Sequence, residues 1–339
     1  MEKEVMTDSQ LVGGPDAAYT VAEPTAEFAT AGAGRKPAWL KKPLPQAVSM
    51  RKLESLLKEH SLHSVCESAL CPNRGECFTR GTAAFLVMGE VCTRDCGFCG
   101  IPTGIPSELD PSEPGRVAEA AARLGLGHVV VTSVTRDDVA DGGAGHYVAT
   151  IRAIRARLPR ATLEVLVPDF AGRTESVELV LAERPEVFNH NVETVPRLYR
   201  TVRPQADYER SLDLLRQAAG RVTSLAKTGL MVGLGERENE VRVVLEDLLA
   251  AGVSVVTIGQ YLRPSARNLP VAEYVAPGVF KRYREWGEAL GLQVHAAPFV
   301  RSSFQAGESF AQAVERGPKE TCTLPPMPRY NSPDLRRTD

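Results

Sequence analysis

The chain has 339 residues, of which 43% are hydrophobic and 24% charged, and its net charge is −2. That supplies material for a sizeable core and excludes the strong charge bias of a general nucleic-acid or membrane-surface binder. No apolar run approaches the ~20 residues that span a bilayer.

Residues 1–34 carry six acidic groups and a single basic one, Lys3, without sustained periodicity. They read as a disordered acidic tail. They lack the basic start and apolar core of a secretory signal, and they are too acidic for a transit peptide. A cytoplasmic location is expected, where thiols stay reduced and clustered cysteines read as metal ligands. Residues 35–82 form an N-terminal extension. Within it, 50–64 look helical and lead into a first cysteine triplet, Cys66-x4-Cys71-x5-Cys77.

From residue 83 onward strand-like apolar runs alternate with amphipathic helical stretches. The runs cover 83–89, 128–134, 163–167, 187–192, 225–232 and 253–262. Asp110-Pro111-Ser112-Glu113 looks like a capped helix start with Pro at the first helical position. Val117, Ala120, Ala121 and Leu124 then share a face before Gly125. Asp207 is a plausible cap for a helix that stops at Gly220, and Val241, Val244, Leu245 and Leu248 repeat the helical spacing before Gly252. Several strands are nearly continuous apolar runs, as in a parallel sheet covered on both faces. Six β–α units in series predict an α/β fold: an incomplete (β/α)6 TIM-type barrel over residues 83–294. It is flanked by the N-terminal cluster-binding extension and by a C-terminal extension, 295–339, with a Pro- and Arg-rich irregular tail.

A second triplet, Cys92-x3-Cys96-x2-Cys99, directly follows the first predicted strand. In a β/α barrel the loops after the strands build the active site. Each triplet offers three thiolates, one fewer than the irons of a 4Fe-4S cube, so one iron is left open for a substrate or an unusual ligand. A structural zinc site wants four ligands, and no nearby His completes one here. Disulfides are disfavoured by the compartment and by the odd total of seven cysteines. Gly97 and Gly100 allow the tight path of the second loop.

The spacing of the second triplet resembles that of the radical S-adenosylmethionine (SAM) superfamily. The first, Cys66-Glu67-Ser68-Ala69-Leu70-Cys71-Pro72-Asn73-Arg74-Gly75-Glu76-Cys77, is similar to the auxiliary-cluster motif of the lipoyl synthase family. The likeness runs over about residues 35–306. It passes through Val131-Thr132-Ser133-Val134-Thr135-Arg136-Asp137-Asp138, Leu166-Val167-Pro168-Asp169-Phe170 and Phe188-Asn189-His190-Asn191-Val192-Glu193. It continues through Gly229-Leu230-Met231-Val232-Gly233-Leu234-Gly235 and Gly259-Gln260-Tyr261-Leu262-Arg263-Pro264-Ser265 to Arg301-Ser302-Ser303. The chain departs from the family pattern at Thr135, at Ala226-Lys227-Thr228, and in a shortened stretch, 295–300, before Arg301.

The resemblance implies two 4Fe-4S clusters and SAM as cofactors. Cys92, Cys96 and Cys99 would hold the SAM-binding cluster. Cys66, Cys71, Cys77 and the Ser303 oxygen would hold an auxiliary cluster that is dismantled to supply sulfur. The implied reaction inserts sulfur at C6 and C8 of an octanoyl chain in amide linkage to a lysine. The implied partners are an octanoylated lipoyl carrier domain, reduced flavodoxin or ferredoxin, and an iron–sulfur cluster carrier; a monomer is expected. Alternatives are a paralogous radical SAM sulfurtransferase with another acyl substrate and a non-enzymatic iron–sulfur carrier.

Polar residues in or just after the predicted strands are candidate SAM contacts: Thr132, Ser133, Glu164, Asn189, Asn191, Lys227 and Gln260. Taken singly, each reads as a structural polar group; as a set they aim at one face. Arg203 is a candidate contact for a substrate carbonyl or SAM. His190, in an apolar run, reads as a satisfied core histidine. Gly233-Leu234-Gly235 reads as a strand-to-helix turn, because Glu238 stands where a dinucleotide fingerprint needs its third Gly. Cys322 reads as an incidental free thiol.

Overall fold

A computed structural model describes residues 35–41, 47–69, 71–79, 84–221 and 224–315. The acidic tail, the Pro-rich tail and Cys322 lie outside the described residues. Among the described residues the first α-helix is α1 (Ala47–Glu59), whose Leu53, Leu56 and Leu57 are buried against the first half of the core. A two-residue strand, β1 (His63–Ser64), pairs antiparallel with β2 (Ala84–Val87). Between them lie two short helices that carry cysteines, α2 (Val65–Ser68) and α3 (Arg74–Thr79).

From β2 onward strands and helices alternate. After β2 come α4 (Glu113–Arg123), β3 (His128–Ser133), α5 (Ala144–Arg157), β4 (Thr162–Leu166), α6 (Thr174–Ala182) and β5 (Val187–Asn189). The series continues with α7 (Tyr199–Val202), α8 (Tyr208–Ala219), β6 (Leu225–Val232), α9 (Glu238–Ala250), β7 (Val255–Gln260), α10 (Pro277–Ala289) and β8 (Gln293–Ala296). The sheet order is sequential, β1 to β8, and every pairing after the first is parallel. This is the partial barrel expected from the β–α alternation. All six predicted strands are present, with ends shifted by a few residues.

Two strands lie beyond the six units. β1 is too short to leave a pattern. β8 has a polar signature, because Gln293 Nε2 donates to the Ser309 carbonyl at 3.0 Å and His295 meets the Ser309 hydroxyl, so neither advertises an apolar run. The expected boundary at 294 therefore falls inside a strand. The helix that supplies Ser309, α11 (Ala306–Glu315), reaches both ends of the open sheet. It touches β8 through Ser309 and the other end through Ala306 against Ala84 and Val130, with Phe310 stacked on His128. Side-chain packing thus closes a gap that no strand pairing spans among the described residues.

The core follows from the alternation of strand side chains. Val129, Val131, Leu163 and Val165 are fully buried in the layer between sheet and helices. Val241, Val244, Leu245 and Leu248 do the same on α9 in the other half. Each such side chain contributes ~1.5–3 kcal/mol. Val117, Ala120 and Ala121 are buried on α4 as their spacing predicts. That helix starts at Glu113, later than the Asp110 motif suggests. Asp110 Oδ1 instead accepts from the Ser112 backbone N–H and hydroxyl. Glu113 turns inward to meet His146 at 2.6 Å and the Met88 N–H at 2.9 Å. Asp207 caps α8 through the Arg210 N–H at 2.8 Å. Gly233 and Gly235 take φ of +101° and +104° in a turn whose N–H groups donate to Glu236, the strand-to-helix turn expected there.

Candidate functional site

The two cysteine triplets open onto one cavity of about 560 Å3 at the C-terminal ends of the strands. All six thiols line it and are half-buried. Cys66 sits on α2, whose start is capped by Ser64 Oγ accepting from the Cys66 N–H at 3.2 Å. The chain then tightens: the Cys71 N–H donates to the Cys66 carbonyl and the Cys77 N–H to the Asn73 carbonyl.

The second triplet is held by the loops around it. Cys92 follows β2 through Met88 and Gly89, both at positive φ, and receives N–H groups of Arg94 and Thr135 on its sulfur at 3.4 and 3.3 Å. The segment after β7 packs over this loop: the Leu269 N–H donates to the Gly97 carbonyl, and Asn268 Nδ2 donates to the Cys99 carbonyl at 2.6 Å. Gly97 and Gly100 are needed for close approach rather than for φ. A Cβ on Gly97 would sit 2.8 Å from Leu269, and one on Gly100 3.3 Å from Pro264 and from the Ser68 carbonyl of α2.

Arg94, between Cys92 and Cys96, is 6% exposed and spans two carboxylates. It makes a bidentate pair with Asp137, at 2.6 and 2.9 Å, and reaches Asp169 at 2.6 Å. Burial alone would raise the Asp169 carboxyl, but Arg94 outweighs it and holds the group well below the usual carboxylate range. The cluster loop is thereby tied to the ends of β3 and β4, a clamp that no local spacing announces.

The donor chemistry fits iron–sulfur cubes. Burial pushes the Cys96 thiol up to about 11 and Cys99 up to about 12, while the Cys71 contact and burial raise Cys66. Such thiols ionise when a metal supplies the opposing charge, and binding then releases protons. Arg203 lies near Cys96 and Arg301 near Cys71, each favouring the thiolate. Among the described residues no three His, Cys, Asp or Glu side chains are grouped as for a single metal ion. A cube distributes its cysteines over separate irons and so asks for a wider spread of sulfurs than one zinc does.

Ser303 also lines the cavity, together with Arg301 and Ser302. The turn that carries it is anchored at Phe299, whose carbonyl accepts from Asn73 Nδ2 of the first-triplet segment at 2.6 Å. The Val300 N–H donates to the Ala297 carbonyl, so the shortened stretch before Arg301 closes as a tight turn. Gly259 makes room for it: a Cβ there would lie 2.1 Å from the Val300 carbonyl oxygen.

The polar strand-end residues divide. Thr132, Ser133 and Asn191 line the cavity, as does Arg203. Thr132 Oγ1 donates to the Leu166 carbonyl, and the Tyr147 hydroxyl, which donates to the same carbonyl, accepts from Ser133 Oγ at 3.0 Å. Arg203 donates to the Asn191 and Val192 carbonyls and lies over the Tyr199 ring. Its Nε is buried without a partner. Gln260 also borders the cavity, but its amide is spent on backbone: Nε2 on the Val232, Tyr261 and Glu273 carbonyls, Oε1 on the Val275 N–H.

Glu164, Asn189 and Lys227 are not on the wall. Lys227 Nζ meets both Glu164 oxygens at 2.9 Å, and Asn189 Nδ2 donates to Glu164 Oε1 at 2.9 Å. They were expected to face SAM, and in this structure they engage one another instead, for a physical reason. A charge buried this deeply needs its counter-charge, and the pair engages itself beneath the cavity. His190 is satisfied, as expected, between the Val167 carbonyl and the Ser211 hydroxyl.

Glu193 went unnoticed in the sequence. It lines the cavity, accepts from Asn191 Nδ2 at 3.0 Å, and holds φ at +64°, a strained value for a residue with a side chain. Burial raises its carboxyl. Its place just past a strand end was the available signal.

Residues 86–248 match the family model described as the radical SAM superfamily. The chain is 52% identical over 285 residues to the lipoyl synthase of Thermus thermophilus, covering 83% of this chain and 88% of that one. It is 54% identical over 274 residues to the lipoyl synthase of Caldanaerobacter subterraneus, covering 80% and 96%. Among solved structures it resembles Streptococcus suis SuiB bound to its precursor peptide SuiA, at a TM-score of 0.51 and 11% identity. That match covers 74% of this chain and 53% of SuiB, so the chain spans about half of that protein's length and the likeness is one of fold.

Proposed function

The chain belongs to the lipoyl synthase family of the radical SAM superfamily and is a lipoyl synthase; from that premise we propose how its residues divide the work. Cys92, Cys96 and Cys99 hold the cluster that binds SAM. Cys66, Cys71, Cys77 and Ser303 hold a second cluster that donates sulfur. The observation that carries this division is the opening of both triplets, with Ser303, onto one cavity.

When bound, the two clusters and SAM supply one-electron hydrogen abstraction and sulfide. Such chemistry is required because an unactivated methylene has no proton that an acid or base could remove. The chain's own part is positioning, which supplies much of the rate. Val65, Ala84, Val130 and Met231 give the cavity apolar wall suited to an octanoyl chain. Thr132, Ser133, Asn191 and Arg203 offer polar contacts to SAM. The Glu193 carboxylate suits vicinal hydroxyls or an ammonium group. The acyl chain arrives on the lysine of a lipoyl carrier domain, and a reduced flavodoxin or ferredoxin supplies electrons.

The test is mass spectrometry of an octanoyl-lysyl peptide incubated anaerobically with reconstituted protein, SAM and reductant. The expected product gains two sulfurs and loses two hydrogens. SAM cleavage without that product would point to a sulfurtransferase for another acyl chain, and no SAM cleavage to an iron–sulfur carrier.

A further inference from the structure

We propose that Ser302 is a positioning residue that seats Ser303 against the first cysteine triplet, as the relay point of a hydrogen-bond chain rising from Lys227 and Glu164 inside the barrel. This rests on the proposal that Ser303 completes the ligand set of that triplet.

The chain is directional. Lys227 keeps Glu164 ionised, with 2.9 Å to both oxygens, so Glu164 is an acceptor only. Asn189 must therefore turn its amide nitrogen toward Glu164, and the same nitrogen reaches Ser302 Oγ at 2.9 Å. Ser302, accepting on that side, sends its single proton to Asn191 Oδ1 at 2.7 Å. Asn191 then donates from Nδ2 to Glu193 Oε1 at 3.0 Å. The Glu164 carboxylate, held by Lys227, sets the direction of every donor that follows it.

Two consequences follow. Ser302 Oγ is engaged on both sides, by Asn189 and by Asn191, and is not the unoccupied hydroxyl of the turn. Its neighbour Ser303 is then presented to the cavity that Cys66, Cys71 and Cys77 line. The turn is pinned at two points, Phe299 to Asn73 on the triplet side and Ser302 to Asn189 and Asn191 on the barrel side. Gly229 lets the barrel-side contact form, since a Cβ there would sit 2.6 Å from Asn191 Oδ1 and 3.2 Å from Ser302 Oγ.

The experiment uses full-length protein in which Cys92, Cys96 and Cys99 are replaced by Ala, so that only the first triplet loads with isotopically enriched iron. Mössbauer spectra read the oxygen-ligated iron, and a ferrous chelator reads the rate of iron release. Ser302→Ala is expected to remove the distinct iron site and speed release ~10-fold or more, the usual effect of losing a hydrogen bond that orients a metal ligand. Ser302→Thr, which keeps the hydroxyl, is expected to behave as the parent. Ser302→Ala with Ser303→Ala is expected to release iron no faster than Ser303→Ala alone. Asn191→Ala, which removes the proton acceptor from the barrel side and leaves the sequence of the turn intact, is expected to shift spectrum and release in the same direction, so the result does not hang on the folding of one variant. Parental behaviour of Ser302→Ala or of Asn191→Ala, or additivity in the double variant, overturns the proposal. A parental spectrum from Ser303→Ala overturns the ligand assignment itself, and the positioning role with it.

Discussion

Lys227 and Glu164 meet inside the barrel with side chains 2% and 1% exposed. Burial alone would raise the Glu164 carboxyl, but Lys227 and His128 outweigh it and hold it below its ordinary value. Breaking such a pair strands a charge: Lys227→Met is expected to cost ~3–5 kcal/mol in denaturant unfolding, and adding Glu164→Leu to recover most of that. His190 is shifted in the same direction, but by burial itself. Burial, with Arg203 nearby, pushes it down to about 4, so it stays neutral in the fold while an unfolded histidine takes up a proton below ~6.5. The unfolded state then binds the extra proton, and stability falls as pH drops from about 6.5 to 4, by ~3 kcal/mol in total. His190→Gln is expected to flatten that part of the melting-temperature profile relative to the parent. The polar residues of the strands were legible as types, but their roles were not. Asn189 and Asn191 are two positions apart on one segment, yet only Asn191 reaches the cavity wall.

At the level of elements, glycines at strand ends decide where the Ser303 turn can lie. Gly259→Ala would drive a Cβ into the Val300 carbonyl oxygen. The expected cost is ~1–3 kcal/mol, with faster hydrogen exchange across residues 297–303 and little change in α4 to α6. Helix α11 is a second such element: it contacts β8 and β3 and seals the open side of the barrel. Phe310→Ala is expected to lower stability by about 2 kcal/mol, below the full value for a core aromatic because the ring is half-buried. The β–α alternation was visible because buried parallel strands leave unbroken apolar runs. β8 was not, since its interior-facing Gln293 and His295 answer to a helix that the chain meets only later.

Across the whole molecule, the two triplets come from different structural layers, one from the extension before the barrel and one from the loop after β2, yet they open onto one cavity. If they have separate tasks, their variants separate too. Anaerobic reconstitution is expected to yield ~8 irons per chain, falling to ~4 in either Cys96→Ala or Cys71→Ala. Cys96→Ala is expected to abolish SAM cleavage, and Cys71→Ala to keep cleavage while losing sulfur transfer. Identical behaviour of the two variants would remove the division of labour.

The sequence by itself determined the fold class and the pairing of two three-thiol motifs, because those depend on periodicity and on short spacings, and it pointed to the family through the resemblance of its motifs. Only the tertiary structure decided which polar residues reach the cavity. It alone bound Arg94 to Asp137 and Asp169, turned Glu164 toward Lys227 instead of a ligand, and brought Asn73 and Asn189 to either side of the Ser303 turn. Those outcomes rest on strand register and on the demand that buried charges and amides find partners, and such partners lie far along the chain where no local pattern can name them.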